Sequence, residues 1–352
     1  MANILIDVGH QADPHIFRSA ARIWQEQGHR ILFTALDRDI ILDLVRANGF
    51  PYRITYKRRK GHFALPIELV LRTLATWWIA RQFRADLLLS FGNPTVAFPA
   101  WLLRKPYIGL TDTEHAKEQH ALFKPFATII ATPDVFTGDL GPNQVRYRGY
   151  HELAYLHPDE FTPDPAHLEP LGLKPDDPFF IVRFVAWRAT HDIGQHGFSL
   201  EDKRALLRAL SEHGRVFLSV EEAVDPEFAA YVTQFHPAII HHLLAYATLY
   251  VGEGASMASE AAVLGTPSVY VNSLIMGYIL DLQDNYGLLH WYTDGAAALT
   301  KVRELLAMPD LKAVYAERRA KLLREKINLT PWLVELGNRL IENPRYRPDN
   351  LP

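Results

Sequence analysis

Glu260 follows a glycine-containing turn in the stretch YVGEGASMASEAAVLGTPSV, residues 250–269. A strand that ends at Gly252 and a helix that begins near Ser256 expose backbone N–H groups and the positive end of a helix dipole, both of which attract an anion. The small residues at 254–256 let a phosphate oxygen approach the backbone. Glu260, one turn into the helix, is then placed to accept hydrogen bonds from the two hydroxyls of a ribose. A tight turn with an exposed glutamate explains the pattern equally well.

A second polar stretch, WRATHDIG (187–194), follows the apolar run FFIVRFVAW (179–187). Its side chains Arg188, His191 and Asp192 fall on the loop after a predicted strand. Arginine and histidine donate hydrogen bonds to a diphosphate with a geometry that lysine cannot match. We therefore predict a contribution to a diphosphate site, with a polar loop capped by Asp192 as the alternative.

Two adjacent histidines, His241 and His242, end the stretch AIIHH (238–242), which we predict to be a strand. Consecutive strand residues point to opposite faces, so the pair is a poor bidentate metal site. No H-E-x-x-H or comparable ligand spacing occurs among the 16 histidines. We predict no bound metal.

The N-terminal half carries its own candidates. The stretch DVGHQADPHIFRSA (7–20) places His10, Asp13 and His15 after the first predicted strand. A histidine with a pKa near neutrality is the usual general base for a hydroxyl group. We take His15 as the candidate base, although a histidine that merely flanks the first helix fits the pattern as well.

Strand and helix patterns alternate between these stretches. The run NILIDV (3–8) is apolar and β-branched, and HIFRSAARIWQEQGH (15–29) then repeats apolar residues at helical spacing. Such alternation predicts a parallel, doubly wound sheet. It restarts at residue 179, after a segment rich in proline and acidic residues. The predicted domains are an N-terminal Rossmann-like domain at 1–155, a linker at 156–178, and a C-terminal Rossmann-like domain at 179–330, with a C-terminal helix at 331–352 packing back. Because doubly wound sheets bind ligands at the carboxyl ends of their strands, we expect the two domains to face a central cleft.

The composition is that of a folded globular chain, with 48% hydrophobic and 22% charged residues over 352 positions. A net charge of −3 creates no field that recruits nucleic acid. The chain has no cysteine, which excludes disulfides, thiolate nucleophiles and Cys-ligated zinc. The start MANILIDVGHQ has the pattern of a first strand and not of a signal peptide, so we predict a cytoplasmic protein.

Several motifs occur in an order that resembles one family. They are TDTEHA (111–116), ELAYLHP (152–158), RFVAWRATHDIG (183–194), GEGASMASEAAVLGTPSV (252–269) and NYGLL (285–289). On these motifs the chain is identified as a member of the family catalogued as domain of unknown function 354. That family is similar to GT-B glycosyltransferases and to UDP-N-acetylglucosamine 2-epimerases. The resemblance implies an α/β, GT-B-like fold of two doubly wound domains. In such a fold the domain at 1–155 would bind the acceptor and the domain at 179–330 would bind the nucleotide sugar.

The resemblance also implies roles for residues in the C-terminal half. Glu260 would hold the ribose of a nucleotide sugar, and Arg188 would lie beside the sugar diphosphate. One of the adjacent histidines, which we take to be His242, would line the pocket of the nucleotide base, while His241 would be structural. The diphosphate would bind at the turn formed by Gly254, Ala255, Ser256 and Met257.

Roles in the N-terminal half follow from the same resemblance. His15 begins a His-Ile-Phe run that resembles the His-Val-Phe after the first strand of the lipid-linked peptidoglycan N-acetylglucosaminyltransferase. FGNPT (91–95) resembles the HGDTT of the epimerases, but Asn93 replaces their acidic residue, and an amide cannot serve as a carboxylate base. Glu114 matches a glutamate of the epimerases. We therefore predict His15, Glu114 and Asp112 as catalytic residues and Asn93 as a substrate-binding residue.

These observations predict a glycosyltransferase that uses a nucleotide-diphosphate sugar in glycan or glycolipid biosynthesis. Among these donors, the resemblance favours a UDP-sugar. The nucleotide sugar is a substrate, and we predict no separate cofactor. The acceptor would be a saccharide or a lipid-linked saccharide. The alternatives are an epimerase or hydrolase that acts on the same donor, and a nucleotide-sugar-binding protein without turnover.

A membrane contact is a further expectation from the stretch at 56–84. Basic residues at 57–60 precede an apolar helix that contains Trp77 and Trp78. A basic patch beside exposed aromatic side chains would bind the surface of an anionic membrane, at its inner face in the cell. A core helix after a solvated loop is the interpretation that the pattern favours.

Overall fold

The computed structural model describes residues 1–37, 39–57, 64–184, 197–220, 225–233 and 235–348. The chain forms two compact units, one made of Met1–Tyr155 with Ile327–Pro352 and the other of Leu156–Lys326. Each unit is built around its own parallel β-sheet. The C-terminal segment of the chain therefore belongs to the first unit.

The first unit contains a seven-stranded sheet. Its strands are β1 (Asn3–Val8), β2 (Arg30–Asp37), β3 (Tyr52–Lys57), β4 (Leu87–Ser90), β5 (Tyr107–Leu110), β6 (Ile129–Pro133) and β7 (Gln144–Tyr147). The strand order is β3-β2-β1-β4-β5-β6-β7, so the direction in which the sheet grows reverses between β1 and β4. Doubly wound sheets bind ligands at such a switch point, beyond the carboxyl ends of the strands.

Helices cover the sheet of the first unit. They are α1 (Asp13–Glu26), α2 (Asp39–Ala47), α3 (Ala64–Phe83), α4 (Pro94–Leu102) and α5 (Lys117–Phe123). The central strands are buried on both faces, and Ile4, Leu5 and Ile6 of β1 have no exposed surface. Continuous apolar runs of this kind are typical of parallel strands that are covered on both sides.

The second unit contains a five-stranded sheet. Its strands are β8 (Phe179–Phe184), β9 (Arg215–Val220), β10 (Leu249–Gly252), β11 (Ser268–Val271) and β12 (Leu289–Tyr292). The order β12-β11-β10-β8-β9 places the switch point between β8 and β10. The loops that follow these two strands are therefore the ones expected to bind a ligand.

The second unit also contains helices, two of which have a clear sequence signal at one end. They are α6 (Leu200–Ser211), α7 (Ile240–Tyr246), α8 (Ala255–Leu264), α9 (Gly277–Asp284), α10 (Gly295–Leu306) and α11 (Leu311–Glu325). Ser199 and Asp202 form a capping box at the start of α6. Gly265 ends α8 in the left-handed region at φ +89°, which favours glycine.

The last helix, α12 (Leu329–Glu342), packs on α1 within the first unit. Gly337 allows this approach, because a Cβ there would stand 2.5 Å from the indole of Trp24. The same indole donates a hydrogen bond from Nε1 to Asn338 Oδ1 at 3.1 Å.

The predicted strand at 238–242 is wrong. The structure has a 3-10 turn at Pro237–Ile239, and α7 begins directly after it. The imidazole of His236 caps this turn by accepting a hydrogen bond from Ala238 N. A short apolar run suits either a strand or a helix, and here the proline at the first position of the turn favours the helical course.

The segment at 156–178, which the sequence predicts to be a linker, is part of the second unit. It contains a 3-10 helix at Pro165–Leu171. Asp164 caps this helix by accepting a hydrogen bond from Ala166 N at 2.9 Å. Leu168 of the 3-10 helix is fully buried.

Candidate functional site

The turn between β10 and α8 lies at the switch point of the second sheet. Its N-cap is Gly254, which has no side chain to occupy the first N–H groups of α8. The predicted turn residues 254–257 are partly or fully exposed, whereas α8 is buried from Ala258 onward. The helix therefore presents its N–H groups and the positive end of its dipole to solvent, as an anion site requires.

Gly252 ends β10 at a place where a larger residue does not fit. A Cβ at this position would overlap the hydroxyl of Tyr250 and stand 3.0 Å from the carbonyl oxygen of Arg183 on β8. Glycine at this position thus leaves room for the buried side chain of Tyr250 on the same strand and for the backbone of β8. This packing positions the turn that follows.

The buried residue Glu253 stabilises the turn through its hydrogen bonds, a role that the sequence analysis missed. It is buried, and its Oε1 accepts a hydrogen bond from Phe198 N at 2.8 Å and lies 3.8 Å from Lys203 Nζ. Its carbonyl oxygen accepts a hydrogen bond from Asn272 Nδ2 at 2.9 Å. Glu253 therefore connects the turn to the start of α6 and to the end of β11. The signal in the sequence is an acidic residue between two glycines directly after a buried strand.

Glu260 lies in α8 and is almost completely buried. Its Oε1 is 3.0 Å from Nε2 of His241 on α7. The side chains of His241 and Glu260 are 3% and 9% exposed. Glu260 is thus not the exposed glutamate of the alternative interpretation, and its carboxylate is held beside the open turn by an imidazole.

His242, the predicted base-pocket residue, has protein partners. Its Nδ1 accepts a hydrogen bond from Asp164 N at 2.9 Å. Its ring centroid lies 4.7 Å from that of Phe161 and 4.3 Å from that of His167. The imidazole therefore fastens the segment around residue 164 to α7, and its half-buried ring forms part of the surface there.

The second polar stretch that the sequence predicts to bind a diphosphate is WRATHDIG (187–194). Arg188, His191 and Asp192 lie outside the described residues.

Asn93 lies at the switch point of the first sheet and is occupied by structural bonds. Its Nδ2 donates a hydrogen bond to Asp7 Oδ2 at 2.8 Å, and its Oδ1 accepts from both N and Oγ1 of Thr95. It thereby caps α4 and bridges the ends of β1 and β4. Burial raises the pKa of Asp7, while Arg72 at 3.5 Å and a hydrogen bond from Thr34 oppose that shift.

Asp112 pairs with a histidine that the sequence analysis did not select. His151 Nδ1 lies 3.1 Å from Asp112 Oδ2, and the side chains are 3% and 12% exposed. Burial alone would raise the pKa of Asp112, but His151 and a hydrogen bond from Thr113 outweigh it and lower the pKa. The ring of Phe91 packs edge-on against His151 at 4.8 Å. The pair lies at the carboxyl edge of the first sheet, since Asp112 follows β5 and His151 follows β7.

His15 lies in the first turn of α1 and is buried, with its ring centroid 5.6 Å from that of Tyr155. The loop before it is fixed by Asp13, whose Oδ2 accepts hydrogen bonds from Gly9 N and His10 N. Burial raises the pKa of Asp13.

The predicted catalytic residue Glu114 has a backbone partner in the loop after β6. Its Oε1 accepts a hydrogen bond from Thr137 N at 3.2 Å. Glu114 and His115 are both half-buried at the carboxyl edge of the first sheet, in the loop after β5. The first unit thus brings Asp112, Glu114 and His115 to one edge, in the loop that leads into α5.

The helices α3 and α4 pack together and expose apolar side chains. We call this the α3–α4 apolar surface, and its most exposed members are Ile67 (55%), Val70 (57%), Leu74 (56%), Trp78 (54%), Trp101 (55%) and Leu102 (51%). Arg81, which stacks over Trp77 at 5.6 Å, and Arg104 are exposed at its border. The interpretation of this stretch as a core helix is therefore wrong, because α3 is apolar on nearly all sides and only part of it faces the sheet.

The described residues contain neither a candidate metal centre nor a helix that could span a membrane. No group of three or more histidine, aspartate or glutamate side chains in the described ranges is arranged to hold a metal ion. None of the helices in that part of the chain combines the length and the apolar character needed to cross a bilayer.

Two doubly wound α/β units with parallel sheets define the GT-B fold, and solved structures of similar fold agree with it. The UDP-N-acetylglucosamine 2-epimerase of Neisseria meningitidis bound to UDP-GlcNAc is 10% identical, with 97% of this chain and 100% of that chain covered and a TM-score of 0.67. The S. aureus MnaA–UDP structure is 10% identical, with both chains fully covered and a TM-score of 0.69. The glycosyltransferase VinC in complex with dTDP is 15% identical, with 97% and 99% covered and a TM-score of 0.63.

Residues 2–276 match the model of the family described as Protein of unknown function (DUF354), and the chain belongs to that family. No curated protein matches the sequence. The chain is thus a GT-B protein whose solved neighbours are nucleotide-sugar enzymes.

Proposed function

We propose that this chain is a glycosyltransferase that takes its sugar from a nucleotide diphosphate, with UDP-sugars as the first class to test. One arrangement supports the proposal: an open helix N-terminus at 254–257 with the buried carboxylate of Glu260 one turn further along. Such an N-terminus binds phosphate, and a carboxylate accepts hydrogen bonds from two ribose hydroxyls. Solved proteins of the same fold hold UDP, UDP-GlcNAc and dTDP, which supports this class of ligand.

The proposal assigns donor binding to residues of the second unit and proton removal to a residue of the first unit. In the second unit, the N–H groups at 254–257 stabilise the negative charge that develops on the leaving diphosphate. Arg188, His191 and Asp192 are further candidates for that diphosphate, and His242 for the nucleotide base. In the first unit, His15 removes the proton from the acceptor hydroxyl.

An epimerase that acts on the same donor is the second candidate. It is favoured by Glu114, which matches a glutamate of the epimerases, and by the epimerases among the solved neighbours. Asn93 argues against it, because an amide replaces the acid and its side chain is already bonded to Asp7 and Thr95. Incubation with UDP-N-acetylglucosamine in deuterated water separates the two, since an epimerase exchanges the proton at C2 and a transferase does not.

The α3–α4 apolar surface supports a lipid-linked acceptor at an anionic membrane. Exposed tryptophans bordered by arginine suit the interface between lipid headgroups and acyl chains. The full chain should sediment with vesicles of phosphatidylglycerol and phosphatidylcholine. A double variant that combines Trp78→Ser and Trp101→Ser should no longer sediment with them. Leu200→Ser is the control, because Leu200 is an exposed leucine (44%) in the other unit. Equal sedimentation of all three proteins would contradict the membrane contact.

Calorimetry with UDP tests the binding site. Glu260→Ala should weaken UDP binding by about 10- to 100-fold, since a hydrogen bond to a charged group contributes about 1.5–3 kcal/mol. The UDP affinity of Glu260→Gln, which keeps the shape of the side chain but loses its charge, should lie between those of the wild-type protein and Glu260→Ala. Unchanged affinity in Glu260→Ala, or no affinity of the wild-type protein for any nucleotide, would contradict the proposal. A protein that binds UDP-sugars without any turnover would be a binding protein of the kind named as the third alternative.

The role of His15 as general base can be tested separately from the binding of the sugar donor. His15→Gln should bind UDP like the wild-type protein and lose transfer by about 10²- to 10⁴-fold, the usual effect of removing a general base. A His15→Gln protein with full transfer activity would move the role to Glu114 or His115.

A further inference from the structure

His241 and Glu260 form an imidazole–carboxylate contact beside the open turn. His241 Nε2 and Glu260 Oε1 are 3.0 Å apart, and the two residues come from the adjacent helices α7 and α8. Both side chains are more than nine-tenths buried. An ionised carboxylate only accepts hydrogen bonds, so in this contact an Nε2–H group is the donor and Oε1 is the acceptor.

The imidazole is itself fixed by its surroundings. His241 lies on the buried face of α7, and the ring of Phe161 packs edge-on against it at 6.2 Å. The neighbouring His242 turns to the other side, where Asp164 N donates to its Nδ1. The two histidines of one helix therefore bond to different groups, His241 to the carboxylate of Glu260 and His242 to the backbone of Asp164.

A glutamate side chain loses much rotational freedom when it is held in one conformation. If that conformation is set before the ligand arrives, the ligand does not have to order it, and binding is tighter. The contact with Nε2 restricts the rotation of the Glu260 carboxylate. His241 is thus placed to act on a ligand through Glu260, without touching the ligand.

We propose that His241 is a positioning residue that sets the carboxylate of Glu260 for the two hydroxyls of a ribose. The inference rests on the proposed function, because it requires a nucleotide at the 254–257 turn. It extends that function by assigning the selectivity for a ribose over a deoxygenated sugar to a pair of residues from α7 and α8.

The test compares UDP with 2′,3′-dideoxy-UDP, which lacks both hydroxyls, in calorimetry. The wild-type protein should prefer UDP. His241→Leu should lower the affinity for UDP by roughly tenfold, the lower end of the effect of a hydrogen bond to a charged group, and leave the affinity for the dideoxy compound nearly unchanged. His241→Gln should retain most of the preference, because the glutamine amide reaches the position of Nε2 and can donate to Oε1.

If His241→Leu does not fold, one further variant and a control still test the positioning role. His241→Asn has the same amide as His241→Gln but is too short to reach Oε1, so it should lose the preference that the glutamine variant keeps. His290→Gln is the control, because His290 is a mostly buried imidazole of the same unit that bonds to Tyr315 OH at 2.7 Å. It should bind both nucleotides like the wild-type protein.

The outcomes distinguish the two proposals. Equal weakening of both nucleotides in the His241 variants, or an unchanged preference in His241→Asn, would overturn the positioning role while the nucleotide site stands. No binding of UDP by the wild-type protein would overturn the proposed function and the positioning role together.

Discussion

Asn93→Asp places a second carboxylate against the buried Asp7. In the wild-type protein Asn93 Nδ2 donates to Asp7 Oδ2 at 2.8 Å. Two like charges at that distance repel by about 6 kcal/mol at an effective dielectric constant of about 20. Protonating one of the two carboxyls avoids this repulsion, and at pH 7 it costs about 4 kcal/mol, since each pH unit above the ordinary pKa of aspartate adds about 1.4 kcal/mol. We expect Asn93→Asp to lose about 4 kcal/mol of unfolding free energy at pH 7.

The pH dependence of this loss has a definite sign. The folded variant binds a proton that the unfolded chain does not bind, because the carboxyl pKa is raised only in the folded state. Stability relative to wild type therefore rises as the pH falls, and at pH 5 the loss should shrink to about 1.5 kcal/mol. Both values are upper limits, because Arg72, 3.5 Å from Asp7 Oδ2, also stabilises the alternative state in which both carboxyls stay charged.

Urea unfolding followed by tryptophan fluorescence at pH 7 and pH 5 measures the effect, with Trp24 and Trp332 buried in the affected unit. The matched control is the exchange Asp7→Asn with Asn93→Asp, which restores one amide and one carboxylate. Thr34 and Thr95 can donate to either group, so the exchange should recover most of the stability. A single variant as stable as wild type at pH 7, or a double variant as unstable as the single one, would refute the reasoning.

Two further predictions concern the second unit. Gly252→Ala should destabilise the protein by about 1–3 kcal/mol, the usual effect of overpacking, because the new Cβ would overlap Tyr250 OH; a melting temperature equal to that of wild type would contradict the assigned close approach. Burial, with Lys301 and Arg318 nearby, lowers the pKa of His290 to about 4. The contribution of the neutral imidazole to the unfolding free energy is therefore complete above pH 6.5 and falls by about 3 kcal/mol as the pH drops to 4. The difference in unfolding free energy between wild type and His290→Gln should change by that amount, and a difference that is constant with pH would exclude the effect.

The sequence predicts the layout of this fold because parallel strands and their helices leave local signals. The buried run that ends at Gly252 and the small residues after it predict β10, the turn and α8 with a start only one residue away from the observed Ala255. The alternation of elements in both halves predicts the two parallel sheets. In each case the signal lies within about ten consecutive residues, where periodicity and turn residues are informative.

The partners of the site residues have no such local signal. His241 and Glu260 are 19 positions apart, and His151 is still further from Asp112. Their contacts arise only when helices or strand ends pack side by side, which the pattern of apolar residues does not encode. The same limit explains α3, since a helix that is apolar on nearly all sides gives no indication of which side faces the sheet.

A crystal structure of the protein with UDP tests the central claim most directly. We predict that the diphosphate accepts hydrogen bonds from the backbone N–H groups at 254–257 and that both ribose hydroxyls donate to the carboxylate of Glu260, with His241 Nε2 still bonded to Oε1. UDP bound elsewhere in the chain, or bound at the turn with its ribose away from Glu260, would contradict it.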